Sequence, residues 1–223
     1  MKSKFSLLLF VLIIVCWIIL NPLFAIVKKI TIVGNKNITE DEIVQTSELL
    51  GNLVFFYNKN SFKKKLKENI MIKNIHLSLL SYSEVKIEII ERSFIFKINN
   101  LNTKGLIDSD GFFFYFSDLA DFPNLPFLEA KEDKDIAIAT KLLDMIAKED
   151  LNIYFEISEI IVDKIIGTQI YTTNNQIILL GKDGFDIKLR QLKIILNNSL
   201  KINKIPRFID LREKSKGIVN YNL

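Results

Sequence analysis

Ile30-Thr31-Ile32-Val33-Gly34-Asn35 is a short alternating stretch broken by glycine, and together with the elements behind it this stretch decides the fold. Ile30 and Ile32 alternate with Thr31 and Val33, the period of a half-buried strand. Thr39 and Glu42 then stand at the spacing of a capping box, in which each side chain satisfies a backbone amide left open at a helix start. This predicts a helix with Ile43, Ser47 and Leu50 on one face and Gly51 as its stop. A second helix is expected from Asn60 or Ser61, with Phe62, Leu66 and Ile70 at helical steps. Ile75, Leu77 and Leu79 alternate, a polar turn covers 81–84, and Val85, Ile87 and Ile89 alternate back. The predicted order is strand, helix, helix, strand, strand.

Upstream lies an apolar run over 5–27, interrupted by Ser6, Asn21 and Pro22. About 20 apolar residues suffice to cross a bilayer as a helix. A cleaved export signal would have a shorter apolar region and small residues at its cleavage site. Lys2 and Lys4 give the basic start and Ala25 the small residue, but Leu23 is too large for its place. The expectation is an uncleaved transmembrane helix over 5–27 with a short cytoplasmic tail at 1–4. Lys28 and Lys29 nearly balance Lys2 and Lys4, so charge alone favours that orientation only slightly. A hydrophobic segment this early commonly exports the polypeptide behind it, which puts the bulk of the chain outside the cytoplasm.

Downstream, from residue 94, the character changes to short strands. Phe94, Phe96 and Ile98 alternate, a turn covers 99–104, and Leu106-Ile107 leads into Asp108-Ser109-Asp110-Gly111 and the strand-prone 112–116. That Asp-rich turn lacks the further ligands of a calcium loop and reads as a hairpin turn. Pro123 and Pro126 mark a loop. An amphipathic helix is expected over 135–148, with Ile136, Ala139, Leu143, Ile146 and Ala147 on its apolar side. Strands come next at 157–162, 168–172 and 176–180, then a helix over 186–197 with Leu189, Leu192 and Leu196 inward, then two short strands at 208–211 and 217–221. The fold class is α+β, divided into 28–93 and 94–223.

Composition removes several functions. The net charge of +4 comes from lysines spread among acids, with arginine at positions 92, 190, 207 and 212 and no basic stripe interleaved with aromatics, so nucleic acid is not an expected partner. The dense run at 63–67 reads as a solvated helix face. Cys16, the single cysteine, lies in the apolar run, which leaves no intrachain disulfide. With one histidine, His76, on the outward side of its strand, no metal site or Cys-His nucleophile is expected. Acidic pairs such as Glu132-Asp133 stand at helix starts, where they meet the helix dipole. Gly181-Lys182-Asp183-Gly184 lacks the phosphate-loop pattern. No enzyme, cofactor or small-molecule substrate is expected.

Ile30 to Asn35 with Ile38-Thr39 and Glu42-Ile43, and the exit Glu91-Arg92, resemble the POTRA module of the FtsQ/DivIB cell-division family. The resemblance extends to Leu179-Leu180-Gly181, Lys188-Leu189 and Ile209-Asp210-Leu211-Arg212, similar to that family's closing pattern. The chain departs from the family where proline often precedes the strand near Ile72 and occupies the turn held here by Ser81-Tyr82-Ser83. The resemblance implies a POTRA domain over 28–93 and an FtsQ/DivIB-type β domain over 94–223. It implies a non-enzymatic scaffold in the inner (plasma) membrane at the division septum, with the POTRA domain contributing to recruitment there. It also implies that the terminal strand, Gly217, Ile218, Val219, Asn220 and Tyr221, is an open edge for FtsB/DivIC-type and FtsL-type single-span partners, with Val219 and Tyr221 choosing among them. The alternative class is a POTRA-containing adaptor of outer-membrane assembly or secretion.

Overall fold

The computed structural model describes residues 2–20, 26–53, 59–99, 103–153 and 155–221. The chain divides into two compact units, Met1–Ser93 and Phe94–Leu223.

Helix α1 spans Lys2–Leu20. Its apolar part, 5–20, is about 24 Å long at 1.5 Å per residue, against a hydrocarbon core of about 30 Å. Among the described residues no helix is long and apolar enough to cross a membrane. The expected span over 5–27 also changes at its far end. Residues 21–25 lie outside the described residues, Ile26 bridges to Leu53, and Val27 is buried in the core of the first unit. Val27 therefore belongs to the folded domain.

The first unit has the expected order: β1 (Lys29–Val33), α2 (Glu40–Ser47), α3 (Lys59–Lys67), β2 (Ile72–Ser81) and β3 (Glu84–Glu91). β3 lies in the middle, parallel to β1 and antiparallel to β2. Its alternation puts Val85, Ile87 and Ile89 on one face, against Ile43 of α2 and Phe62 and Leu66 of α3. Thr39 caps α2 by accepting from the Glu42 amide at 3.3 Å, but Glu42 gives its own carboxylate to the Asn69 side chain at 2.9 Å instead of closing the box. α2 also stops earlier than expected. Glu48 takes a left-handed conformation, which swings Leu49 into the core and leaves Leu50 56% exposed.

Glu91 ties the loop after β1 to the end of β3. Its carboxylate accepts from the backbone amides of Lys36, Asn37 and Ile38 at 2.6 to 3.1 Å. Burial works against the charge, but these amides outweigh it and hold the carboxyl below the ordinary range. Gly34 is required here: its φ is +91°, and a Cβ would stand 2.2 Å from the Ile89 carbonyl oxygen. His76 is exposed on β2 beside Asn74.

The second unit is one nine-stranded sheet. Its strands are β4 (Phe94–Asn99), β5 (Lys104–Asp108), β6 (Phe113–Tyr115), β7 (Phe127–Glu129), β8 (Ile157–Asp163), β9 (Gly167–Thr172), β10 (Ile177–Gly181), β11 (Phe208–Asp210) and β12 (Ile218–Asn220). Their order is β12-β11-β10-β9-β8-β7-β4-β5-β6. β7–β8 and β10–β11 are parallel pairs, which need a crossover. Helices α4 (Asp133–Lys148) and α5 (Phe185–Lys201) are those crossovers. The hairpin reading at 108–111 holds: the Asp108 carboxylate accepts from the amides of Asp110 and Phe112 at 3.0 and 2.9 Å. Part of the turn expected over 99–104, residues 100–102, lies outside the described residues.

Two corrections concern this unit. β7 sits centrally where the residue pattern shows only a proline-bounded loop. The inward stripe of α4 is Ala139, Leu142 and Ile146, with Leu143 half-buried and Ala147 exposed. α4 begins at Asp133, where Asp135 accepts from the amides of Lys131 and Glu132 at 3.1 Å. Lys134 and Lys164 flank Glu132 and bring its carboxyl down to about 2. Under the helices, cross-strand partners form one continuous apolar row, Leu128–Ile160–Ile170–Ile178–Ile209–Val219. All but Val219 are buried.

Candidate partner-binding edge

β12 ends the sheet, with β11 as its one neighbour in the strand order. Gln176 orients the entry to β11, its side-chain amide donating to the Pro206 carbonyl at 3.0 Å. The Ile177 amide donates to the Arg207 carbonyl at 3.0 Å, and the Leu211 amide donates to the Leu179 carbonyl at 2.8 Å. Arg207, at the entry, is split, its N–H donating to the Asn220 carbonyl of β12 at 2.8 Å; counted back from Leu211, strand alternation turns Ile209 to β10 and Phe208 and Asp210 to β12. Val219 pairs with Ile209, and with Ile209 turned to β10 the two exchange no backbone hydrogen bond. The N–H and C=O of Val219 therefore point to the open side of the sheet.

Side chains fix the strand in place. Val219 packs against the core. The Tyr221 hydroxyl lies 3.0 Å from Ser199 Oγ on α5, and Ser199, itself buried, donates to the Ile195 carbonyl at 2.8 Å. Gly217 precedes β12, and a Cβ there would come within 2.9 Å of Leu211 Cδ2. The connection before it is clamped by Gln191 of α5, which donates to the Lys214 carbonyl at 2.8 Å.

Two charged groups beside the edge, Asp210 and Arg212, are paired with each other. Asp210 receives the Arg212 guanidinium, with Nη2 at 2.6 Å and Nε at 3.0 Å. That bond is the main cause of a carboxyl held below its usual range, and it raises the guanidinium in turn. Lys188 is fully buried on α5, its ammonium donating to the Leu180 carbonyl at 2.7 Å with Asp183 at 3.8 Å. Burial pushes that ammonium down, more than Asp183 restores. It ties α5 to the end of β10, the strand behind β11. Asp210, Arg212, Glu213, Lys216 and Ile218 line an open hollow of about 570 Å³ beside the edge.

The five residues Gly217 to Tyr221 thus stand together at the sheet's end, but their side chains divide differently from the expectation. Val219 and Tyr221 share a face, as strand periodicity requires, and that face is the one under α5. Ile218, 64% exposed, is the apolar side chain β12 presents outward. Among the described residues no group of three or more His, Cys, Asp or Glu side chains could hold a metal ion.

Residues 97–212 match the family model described as cell division protein FtsQ/DivIB, C-terminal, which is more than half of the chain. The chain belongs to the FtsQ/DivIB family. Residues 26–92 match the POTRA domain of FtsQ type, beginning at the Ile26 that bridges to Leu53. The cell division protein DivIB of Clostridium acetobutylicum is 33% identical over 86 residues, 38% of this chain and 34% of that protein. The matched region thus spans about a third of that relative's length. The FtsQ/DivIB match ends at Arg212, ahead of β12.

Proposed function

We propose that the chain is a non-catalytic, membrane-anchored scaffold of the division septum, and that β12 is its docking strand. The observation that carries this is the register of Val219 against Ile209 at the open end of the sheet, which by strand alternation turns the Val219 N–H and C=O outward on a strand whose side chains are already fixed. Such an edge binds by accepting another strand, with main-chain bonds for affinity and outward side chains for choice. The occupants are the extracytoplasmic parts of FtsB/DivIC-type and FtsL-type single-span proteins. Ile218, and not Val219 or Tyr221, selects among them. Anchoring falls to α1 together with the residues after it, up to 25, which places both folded units outside the cytoplasm.

Site-specific photo-crosslinking in living cells tests both parts. A probe at position 218 is expected to capture small single-span division proteins, while one at Gln45 on α2 does not. Capture of a β-barrel or its lipoproteins from 218 would move the chain to envelope assembly. Alkaline extraction of membranes checks the anchor: release of the chain into the soluble fraction sinks it.

A further inference from the structure

A second docking place lies inside the large sheet. β7 begins at Phe127, opposite Lys97 of β4 on one side and Glu159 of β8 on the other. β4 and β8 begin earlier, at Phe94 and Ile157. Ahead of β7 their first residues flank a slot about 10 Å wide at the usual strand spacing, entered by Pro126, whose carbonyl accepts from the Lys97 amide at 2.9 Å. Among the described residues no strand fills it. A cavity of about 760 Å³ opens there, lined by Ile95, Leu125, Phe127, Ile157 and Ser158 and reaching Leu143 of α4. Ligand pockets run from about 300 to 1,000 Å³.

The slot contains a buried cation. Lys97 is 6% exposed, its ammonium 3.3 Å from the Pro123 carbonyl and 4.6 Å from the centroid of the Phe127 ring. An ammonium has three donors, and one neutral acceptor satisfies one of them. Among the described residues no carboxylate comes within ion-pair distance of it. Glu156 lines the same cavity but is exposed at its rim. A buried ammonium is costly to keep without a counter-charge.

We propose that this slot receives an extended acidic segment of a partner polypeptide, laid between β4 and β8 ahead of β7, with a carboxylate on Lys97. Ile95 and Ile157 offer apolar walls, Phe127 an aromatic one, and Lys97 the selective charge. The site is separate from β12, since β9, β10 and β11 stand between β8 and that edge.

The test uses the full chain in detergent micelles and fluorescent, acetylated and amidated heptapeptides of alternating Val, Ile, Thr and Phe with a central Glu, each with a central-Gln twin. Fluorescence anisotropy is expected to find Glu peptides that bind, with their twins weaker by about tenfold or more. Lys97→Met should bring a binding Glu peptide to the level of its twin, and Val219→Pro should leave it unchanged. The proposal is overturned if no Glu peptide binds, if Glu and Gln twins bind alike, or if binding depends on Val219. Should Lys97→Met fail to fold by circular dichroism, Leu125→Trp fills the slot with Lys97 in place: loss of binding supports the site, and full binding overturns it.

Discussion

The two sheets of this chain expose their outer strands in different ways. In the first unit β2 runs for ten residues along the edge, yet bulges interrupt it between Ile72 and Asn74 and between Leu79 and Ser81, and Lys73 and His76 stand on it exposed. Bulges and charges of this kind spoil an edge as a template. In the second unit β12 is three residues long and pairs with β11 without a register shift. Its core-side residues are secured by packing and by the Tyr221–Ser199 contact. A short, well-seated edge is a better receptor than a long irregular one, because the added strand meets backbone groups already in place.

The strongest way to break this contrast is to remove what β12 leans on. Ile209→Ala empties a fully buried position directly beneath Val219 and should cost about 2–5 kcal/mol. Chemical denaturation reads that cost, and crosslinking from 218 should vanish with it. Val219→Pro is more selective. It removes an outward-facing donor while sparing the bonds between β11 and β12, so capture from 218 should fall about tenfold while stability stays within about 1.5 kcal/mol. Undiminished capture in a folded variant would end the docking role of β12.

Ser199→Ala tests the seating alone. Loss of the Tyr221 contact should cost about 0.5–1.5 kcal/mol and raise hydrogen exchange at Asn220 and Tyr221 before it affects β10. Unchanged exchange there would mean that Val219 packing suffices. The smallest effect concerns pH. Asp210 is depressed in the folded chain, so its pairing with Arg212 stabilises fully above the unfolded carboxyl value of about 3.9 and is lost as pH falls through the folded one. Arg212 is half-exposed, so solvent screens the pair and the contribution is small. NMR of the β11–β12 connection should therefore be flat from pH 8 to about 5 and change below about 4; a transition near neutrality would contradict the pairing.

Alternation makes β2 and β3 readable from sequence, because each carries apolar residues at period two over several positions; β8, β9 and β10 are readable as strand-prone runs set off by the turn signals at 163–164 and 174–175. β7 is not readable in that way. Phe127, Leu128 and Glu129 are too few to show a period, and Pro126 ahead of them reads as a loop; what makes them a strand is the pairing of Leu128 with Ile160. At the terminal edge, the strand and the shared face of Val219 and Tyr221 are legible in the residues. Which face turns inward is not, since it depends on Val219 meeting Ile209, a partner set by the α5 crossover. Lys97 carries only a weak signal: in Phe94-Ile95-Phe96-Lys97-Ile98 it interrupts a run that is otherwise apolar, and the late start of β7 is what gives that lysine a cavity.

The parallel pairing of β1 with β3 has a consequence in time. Ile30 sits beside Val85, and everything between them must be made before the two can meet. At synthesis rates of about 5–20 residues per second, β1 waits for roughly 3 to 11 seconds with its ladder unpaired. Ile30 and Ile32 are then an adhesive stretch in the nascent chain, and helpers that shield new polypeptide have their first task there.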